Sequence, residues 1–391
     1  MNRETLKCFS LFLFILITSC SNQNSVAGGG TDFPNTRTVA GVVLTGQGTA
    51  AENTLVTAYD TDHNPLCDSD EVHSAVTDSN GTFLLSLPDD REFNLIAKNP
   101  DGTGFFGKKF ESSIADTIQL EKSGCALVVV RSAAAHSVYV RGCPFSSPVV
   151  SGVARFDTLP AGMLPQILTD QNTVISDTLA VTSDETSTVA DVLLLSGQSR
   201  DSLSTADKEL IGEMRNIGLR ISTADRHTFD TNGVDLICIS STADSLPSFL
   251  TQTDKPILNF NPFMQNELFM TGAAQHSDYG FEENYFVISI RNDTHPAGSG
   301  LPGTLRLYDS PVSIDWGNPA GEAEVIATLP GIDSQAVVYC HDRGSRMSGT
   351  ETAPSKRGFF PLRQNNTEYL SRDGWRIVRR MTAWAVTETT P

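Results

Sequence analysis

Basic residues are scarce in this 391-residue chain, with 28 lysines and arginines against 46 aspartates and glutamates and a formal net charge of -18. A surface of that sign repels phosphate backbones, so no nucleic-acid partner is expected. Long hydrophobic runs are lacking too: the apolar stretch from Cys8 to Ile17 is well short of the roughly 20 residues a spanning helix needs. Cysteine is sparse, at seven, and neither a Gly-x-Cys-x-Gly turn nor a Gly-x-Ser-x-Gly elbow occurs. Such turns expose a nucleophile beside backbone N–H groups, so no acyl-transfer site of either kind is expected. What is present is 39% hydrophobic residues, enough for two or three globular domains of roughly 100–200 residues each.

Arg3 and Lys7 precede the short apolar stretch, the pattern of a secretory signal. It closes on Ile17-Thr18-Ser19-Cys20, which resembles the lipobox of bacterial lipoproteins. The resemblance implies removal of residues 1–19, acylation of Cys20 and a lipid anchor in the membrane. Ser21 at the following position is similar to the outer-membrane sorting pattern, which implies the outer membrane or cell surface. Residues 20–37, with Gly28-Gly29-Gly30 at their centre, read as a flexible tether.

From Val39 the chain shows short β-branched and aromatic runs separated by Gly, Asn, Asp and Pro turns, a β-sandwich signature. Gly41, Thr77-Asp78-Ser79-Asn80-Gly81-Thr82-Phe83 and Leu87-Pro88 carry a resemblance, over 38–115, to the carboxypeptidase regulatory-like family. The resemblance implies a transthyretin-like sandwich, usually without catalysis. Residues 116–168 read as a divergent second sandwich or an extension, with Phe156 to Gly162 as its closing strand and turn. Residues 169–187, rich in Ser and Thr with four acids and no Lys or Arg, read as a linker, with Val174 to Ala180 as an optional strand. Cys125 and Cys143 end or begin apolar runs that adjacent antiparallel strands would bring into bridging distance. Cys238 and Cys340, inside apolar runs, read as buried small hydrophobes.

Beyond 188 the pattern changes to near-continuous apolar runs such as Val192 to Leu195, Leu236 to Ile239 and Val337 to Cys340, with helices capped at Ser204 and Ser371. It predicts a flavodoxin-like α/β domain over 188–391, a parallel sheet with helices on both faces. The fold class expected is therefore multidomain: one or two transthyretin-like sandwiches followed by that α/β domain. Asp235 to Ser241, His295-Pro296, Pro311 to Gly317, Arg357 to Phe360 and Asp373-Gly374-Trp375 are similar to the glutamine amidotransferase-like superfamily, in particular its ThuA-like members. Its active members use the cysteine turn that is missing here, so the resemblance implies a catalytically silent or differently employed relative.

Ligands of open parallel sheets bind beyond the carboxyl ends of the strands. That rule selects Ser196, Gly197, Gln198, Ser240, Ser241, Asn259, His341 and Asp342, with Asp293 and His295 nearby. A hydrolase would draw on Ser196, Ser240, Asp293, His295 and His341; the alternative is capping and loop bonding, with His295 fixing the turn into Pro296. Tyr279, Phe281, Tyr285 and Phe263 form either a stacking platform for sugar rings or core. Arg372, Arg376, Arg379 and Arg380 read as the solvated face of the last helix, or as a contact for an anionic polymer. His63, Cys67, Asp68, Asp70 and His73 crowd one loop without zinc spacing, and Gly102 to Lys108 imitates a phosphate loop in a strand-rich setting. No metal or cofactor is expected. The leading expectation is a noncatalytic surface scaffold or recognition module for glycan or another extracellular polymer. A hydrolase at the sheet's C-terminal edge and a spacer without ligand are the rivals.

Overall fold

The computed structural model describes residues 36–67, 72–100, 103–107, 117–197, 202–225 and 227–387. Cys20, Asp68, Asp70, Lys108 and Gln198 lie outside the described residues. The chain is mostly strand, and among the described residues no helix is long and apolar enough to cross a membrane.

The first sandwich sets a three-stranded sheet against a five-stranded one. Thr36–Leu44 pairs antiparallel with Thr82–Pro88, and Leu55–Asp60 lies between His73–Val76 and Phe93–Lys98. Strand alternation turns Phe83, Leu85 and Leu87 inward onto Val39, Val43, Val56 and Leu95. The Asp78 carboxylate accepts from the N–H groups of Asn80 and Thr82 at 2.9 and 2.8 Å. Gly81 takes φ +74, and a Cβ there would collide with the Val43 carbonyl, so the turn requires glycine. Ile118–Gln119 and Glu121–Lys122 complete these two sheets.

A second sandwich follows, a seven-stranded sheet with Gly124–Val129 paired to Val153–Leu159 and Thr186–Val189, and a two-stranded sheet of Gly162–Leu164 with Leu179–Val181. The stretch 169–187 is therefore not a linker. Its polar composition hides a period-two pattern in which Leu179 and Val181 are buried, and Val174–Ser176 and Thr186–Val189 join the seven-stranded sheet. Cys125 and Cys143 stand on elements that are not neighbours. The Cys125 strand pairs with Val153–Leu159, whereas Cys143 follows Ser137–Val140, which pairs with Ser146–Val150 and Ile167–Thr169. The expected bridge is absent, and both thiols are free.

The last region is an eleven-stranded mixed sheet. Five parallel strands run in the order Arg220–Ala224, Asp191–Leu195, Leu236–Ile239, Ile257–Asn259, Arg357–Phe359. Ile332–His341, Glu324–Leu329, Val287–Ile290 and Thr304–Arg306 continue it antiparallel. Helices α1 (Thr205–Asn216) and α2 (Arg372–Val386) are the two α-helices among the described residues, and both pack on one face, over Val192, Leu194, Leu236, Cys238 and Leu258. The opposite face, Leu193, Leu195, Ile237, Ile239 and Ile257, is covered by irregular chain through Leu250, Met264, Leu268, Met270 and Met347. The flavodoxin-like expectation is thus corrected. Runs of four buried apolar residues read the same in a parallel or an antiparallel central strand, and the covering segments carry Pro247, Pro256 and Pro262, which interrupt helices.

Arg131 of the second sandwich forks onto Asp235 at 2.9 Å and reaches Asp191, both at the start of parallel strands. Arg220 holds Asp191 with two bonds at 2.7 and 2.9 Å and donates to the Ile175 carbonyl of the sandwich. Residues from Thr36 onward pack as one compact unit.

Candidate functional site

At the carboxyl ends of the parallel strands, Ser240 donates its hydroxyl to Asp207, a buried carboxylate in the first turn of α1. Thr242 and Ser204 donate to the other Asp207 oxygen at 2.9 and 3.0 Å, and Ser204 accepts the Asp207 N–H in return. Asn261 Nδ2 donates to the Ala243 carbonyl at 2.8 Å, and Asn259 Nδ2 to the Asn261 carbonyl at 2.9 Å. Gly197 packs against Thr242 so closely that a Cβ would strike its carbonyl. A serine that spends its proton on a saturated carboxylate, with no imidazole in the cluster, is stitching rather than a nucleophile. Asp207 was missed from the sequence, although Ser204-x-x-Asp207 is a capping-box pattern that marks it.

His341 lies at the opposite edge, in register with Arg357, which pairs with Ile257 at the start of its strand. Its ring is fully buried against the Met270 and Arg346 backbone without a well-formed hydrogen bond, and burial pulls its pKa down to about 4. His295 Nδ1 accepts the Ala297 N–H at 3.1 Å, and its ring packs on Trp384 at 5.5 Å. That geometry fixes the turn into Pro296. Asp293 is exposed. Ser196 and Ser240 are therefore separated from His341 by the length of the strands, about 3.3 Å per residue. The hydrolytic constellation expected from Ser196, Ser240, Asp293, His295 and His341 is not assembled. Antiparallel travel of Ile332–His341 puts its carboxyl end at the wrong edge, a direction that an apolar run does not encode.

Aromatic residues at the sheet's C-terminal edge are arranged differently. Phe281 stands opposite Asp315 in the register of Tyr279–Tyr285 with Val312–Gly317. The Arg363 guanidinium lies 4.3 Å from the Phe281 ring centroid and grips the buried Asp315 through Nε at 2.9 Å and Nη2 at 2.6 Å. Burial raises the Asp315 pKa, and the Arg363 hydrogen bonds oppose that rise. Phe281 remains 36% exposed and Phe263 53% exposed. Phe263 follows Asn261, whose side chain accepts its N–H at 2.9 Å, on a turn that packs against Val312–Gly317. Tyr285 packs against the core, whereas Phe281 and Phe263 stay partly exposed. Gln364 and Asn365 are exposed beside Arg363. Arg363 was missed from the sequence because no motif marks it; only the return of the chain after Phe359 brings it onto Phe281.

Of the last-helix arginines, Arg372 is exposed, whereas Arg379 and Arg380 are not a free solvated face. Arg379 pairs with Glu185 of the second sandwich, and Arg380 donates to the Ser299 carbonyl. Among the described residues no group of three His, Cys, Asp or Glu side chains is placed to hold a metal ion. His63 and His73 instead border a small cleft of about 170 Å³ with Asp60, Asp62 and Arg91. Gly104 to Gly107 belong to a strand, Thr103–Gly107, rather than to the turn that a phosphate loop requires, and Gly102 and Lys108 lie outside the described residues.

No family model matches this chain, and no curated protein matches it. Among solved structures, it is similar to a putative GMP synthase component of Thermoplasma acidophilum, at 11% identity and TM-score 0.33, over 50% of this chain and 93% of that one. A putative ThuA-like protein of Bacteroides uniformis gives 10% identity and TM-score 0.33 over 49% and 89%. The minor pilin of Streptococcus agalactiae gives 14% identity and TM-score 0.17 over 39% and 93%. Likeness at this level carries no functional argument.

Proposed function

We propose that this chain is a lipid-anchored cell-envelope protein, held through Cys20, whose folded part is a noncatalytic recognition module for glycan, with the ThuA-like and carboxypeptidase regulatory-like resemblances describing its two kinds of domain. The observation that carries the reading is Phe281, a partly exposed ring backed by an Arg363 whose charge is already satisfied by Asp315. A ring held flat by its neighbour offers one apolar face at little entropic cost, which suits the C–H face of a pyranose. Gln364 and Asn365 supply amides for hydroxyl groups.

The test is titration of residues 22–391 with a panel of neutral and acidic oligosaccharides, repeated with Phe281→Ala and Phe263→Ala. An aromatic face contact is worth about 0.5–1.5 kcal/mol, so each substitution is expected to weaken a binding glycan roughly two- to tenfold. Unchanged affinity in both variants removes the site. Mass spectrometry of the membrane-extracted N-terminus tests the anchor, with a diacylated or triacylated Cys20 expected and an unmodified Cys20 overturning it.

A further inference from the structure

A cleft of about 690 Å³ separates the second sandwich from the amino-terminal edge of the parallel strands, on the opposite side of the sheet from Phe281. Its size is in the range of small-molecule sites, which favour junctions between packed bodies. One wall is the sandwich, with Val130 and Val153; the others are the strand starts near Lys255 and Lys356, the loop at Arg343, and the end of α2 at Val386.

Charge distinguishes this cleft from the rest of the chain. Lys255, Arg343 and Lys356 line it against Asp235 and Asp254, and Asp235 is already held by Arg131. With Lys356 held by the end of α2, Lys255 and Arg343 face one remaining acid, Asp254, in a protein with 46 acids and 28 basic residues. The strand start is itself braced from within: the Arg357 guanidinium, 1% exposed, donates to the carbonyls of Lys255 at 2.8 Å, Lys356 at 3.1 Å and Thr253 at 2.8 Å. The carbonyl end of α2 would repel an anion, but Lys356 Nζ covers it by donating to the Trp384 and Thr387 carbonyls.

We infer that this cleft binds a small amphipathic anion, a single acidic head met by Lys255 and Arg343 with a hydrocarbon arm lying on Val130, Val153 and Val386. The inference is independent of the glycan reading, since it uses the other edge of the sheet. A carboxylate and a phosphate head share the chemistry, and the probes separate them.

The experiment is calorimetric titration of residues 22–391 with octanoate and with octyl phosphate, and with acetate and octylamine for comparison. Saturable binding of at least one octyl anion is expected, with at least tenfold weaker binding of acetate and of octylamine. The Lys255→Glu/Arg343→Glu double variant, at exposed or half-buried positions, is expected to lose at least tenfold in affinity. A Lys98→Glu/Lys208→Glu control, which changes net charge equally on remote surfaces, is expected to keep it. Val153→Trp, which fills the cleft, provides a second variant that is expected to abolish binding. Failure of both octyl anions to bind, equal binding of octylamine, or full affinity in the double variant or in Val153→Trp overturns the inference.

Discussion

At the scale of single residues, buried histidine and buried arginine tell more about stability than about chemistry. His341 is neutral in the fold because burial lowers its pKa from 6.5 to about 4. The unfolded chain therefore binds more protons between those values, so this contribution is complete above pH 6.5 and is lost as pH falls towards 4. About 2.5 pH units at roughly 1.36 kcal/mol each set an upper bound of about 3.4 kcal/mol. Urea unfolding between pH 7 and 4 is expected to show this loss in the native chain and a clearly shallower loss in His341→Gln. Parallel curves would show that the ring is solvated or paired. His295 is shifted in the same direction by burial, so the double substitution should flatten the profile further. The residue types at both sites were visible in the sequence, but their environments were not, because burial is a property of what folds over them.

At the scale of elements, the α1 start shows how a catalytic-looking cluster turns out to be a joint. Ser204, Asp207, Ser240 and Thr242 tie the first turn of α1 to the end of the neighbouring strand. Removing Asp207 leaves three hydroxyls without their common acceptor in a buried place, which costs about 1–3 kcal/mol. Asp207→Ala is expected to lower the denaturation midpoint accordingly and to leave glycan affinity unchanged, and a loss of affinity at unchanged stability would return this cluster to the candidate sites. The caps were readable in advance, since Ser204 and Ser371 both accept a first-turn N–H at 3.0 Å. The helices that were expected on the second face were not, since the periodicity of buried strands carries no information on what covers them.

At the scale of the whole molecule, ionic links tie the second sandwich to the mixed sheet beside the apolar packing of Val129 on the sheet's core. Arg131 binds Asp191 and Asp235, Arg220 binds Asp191 and the Ile175 carbonyl, and Arg379 binds Glu185. Arg131→Met should leave the largely buried Asp235 without its cation, while Asp191 keeps Arg220, and loosen the second sandwich from the sheet. Differential scanning calorimetry is expected to show one broad transition splitting into two, more readily in high salt, and an unchanged thermogram would show that apolar packing dominates the junction. Local rules acting over a few residues determined much in advance: the Asp78 to Gly81 turn, the alternation of Phe83, Leu85 and Leu87, the buried Cys238 and Cys340, and the stripe of α2. Tertiary structure alone decided the direction of Ile332–His341, the membership of 174–189 in the second sandwich, the parting of Cys125 from Cys143 and the meeting of Phe281 with Arg363. The physical reason is that turns, caps and amphipathic stripes are settled by neighbours in sequence, whereas strand direction and long-range pairing depend on closing loops of tens of residues, whose free energy is spread over the whole core.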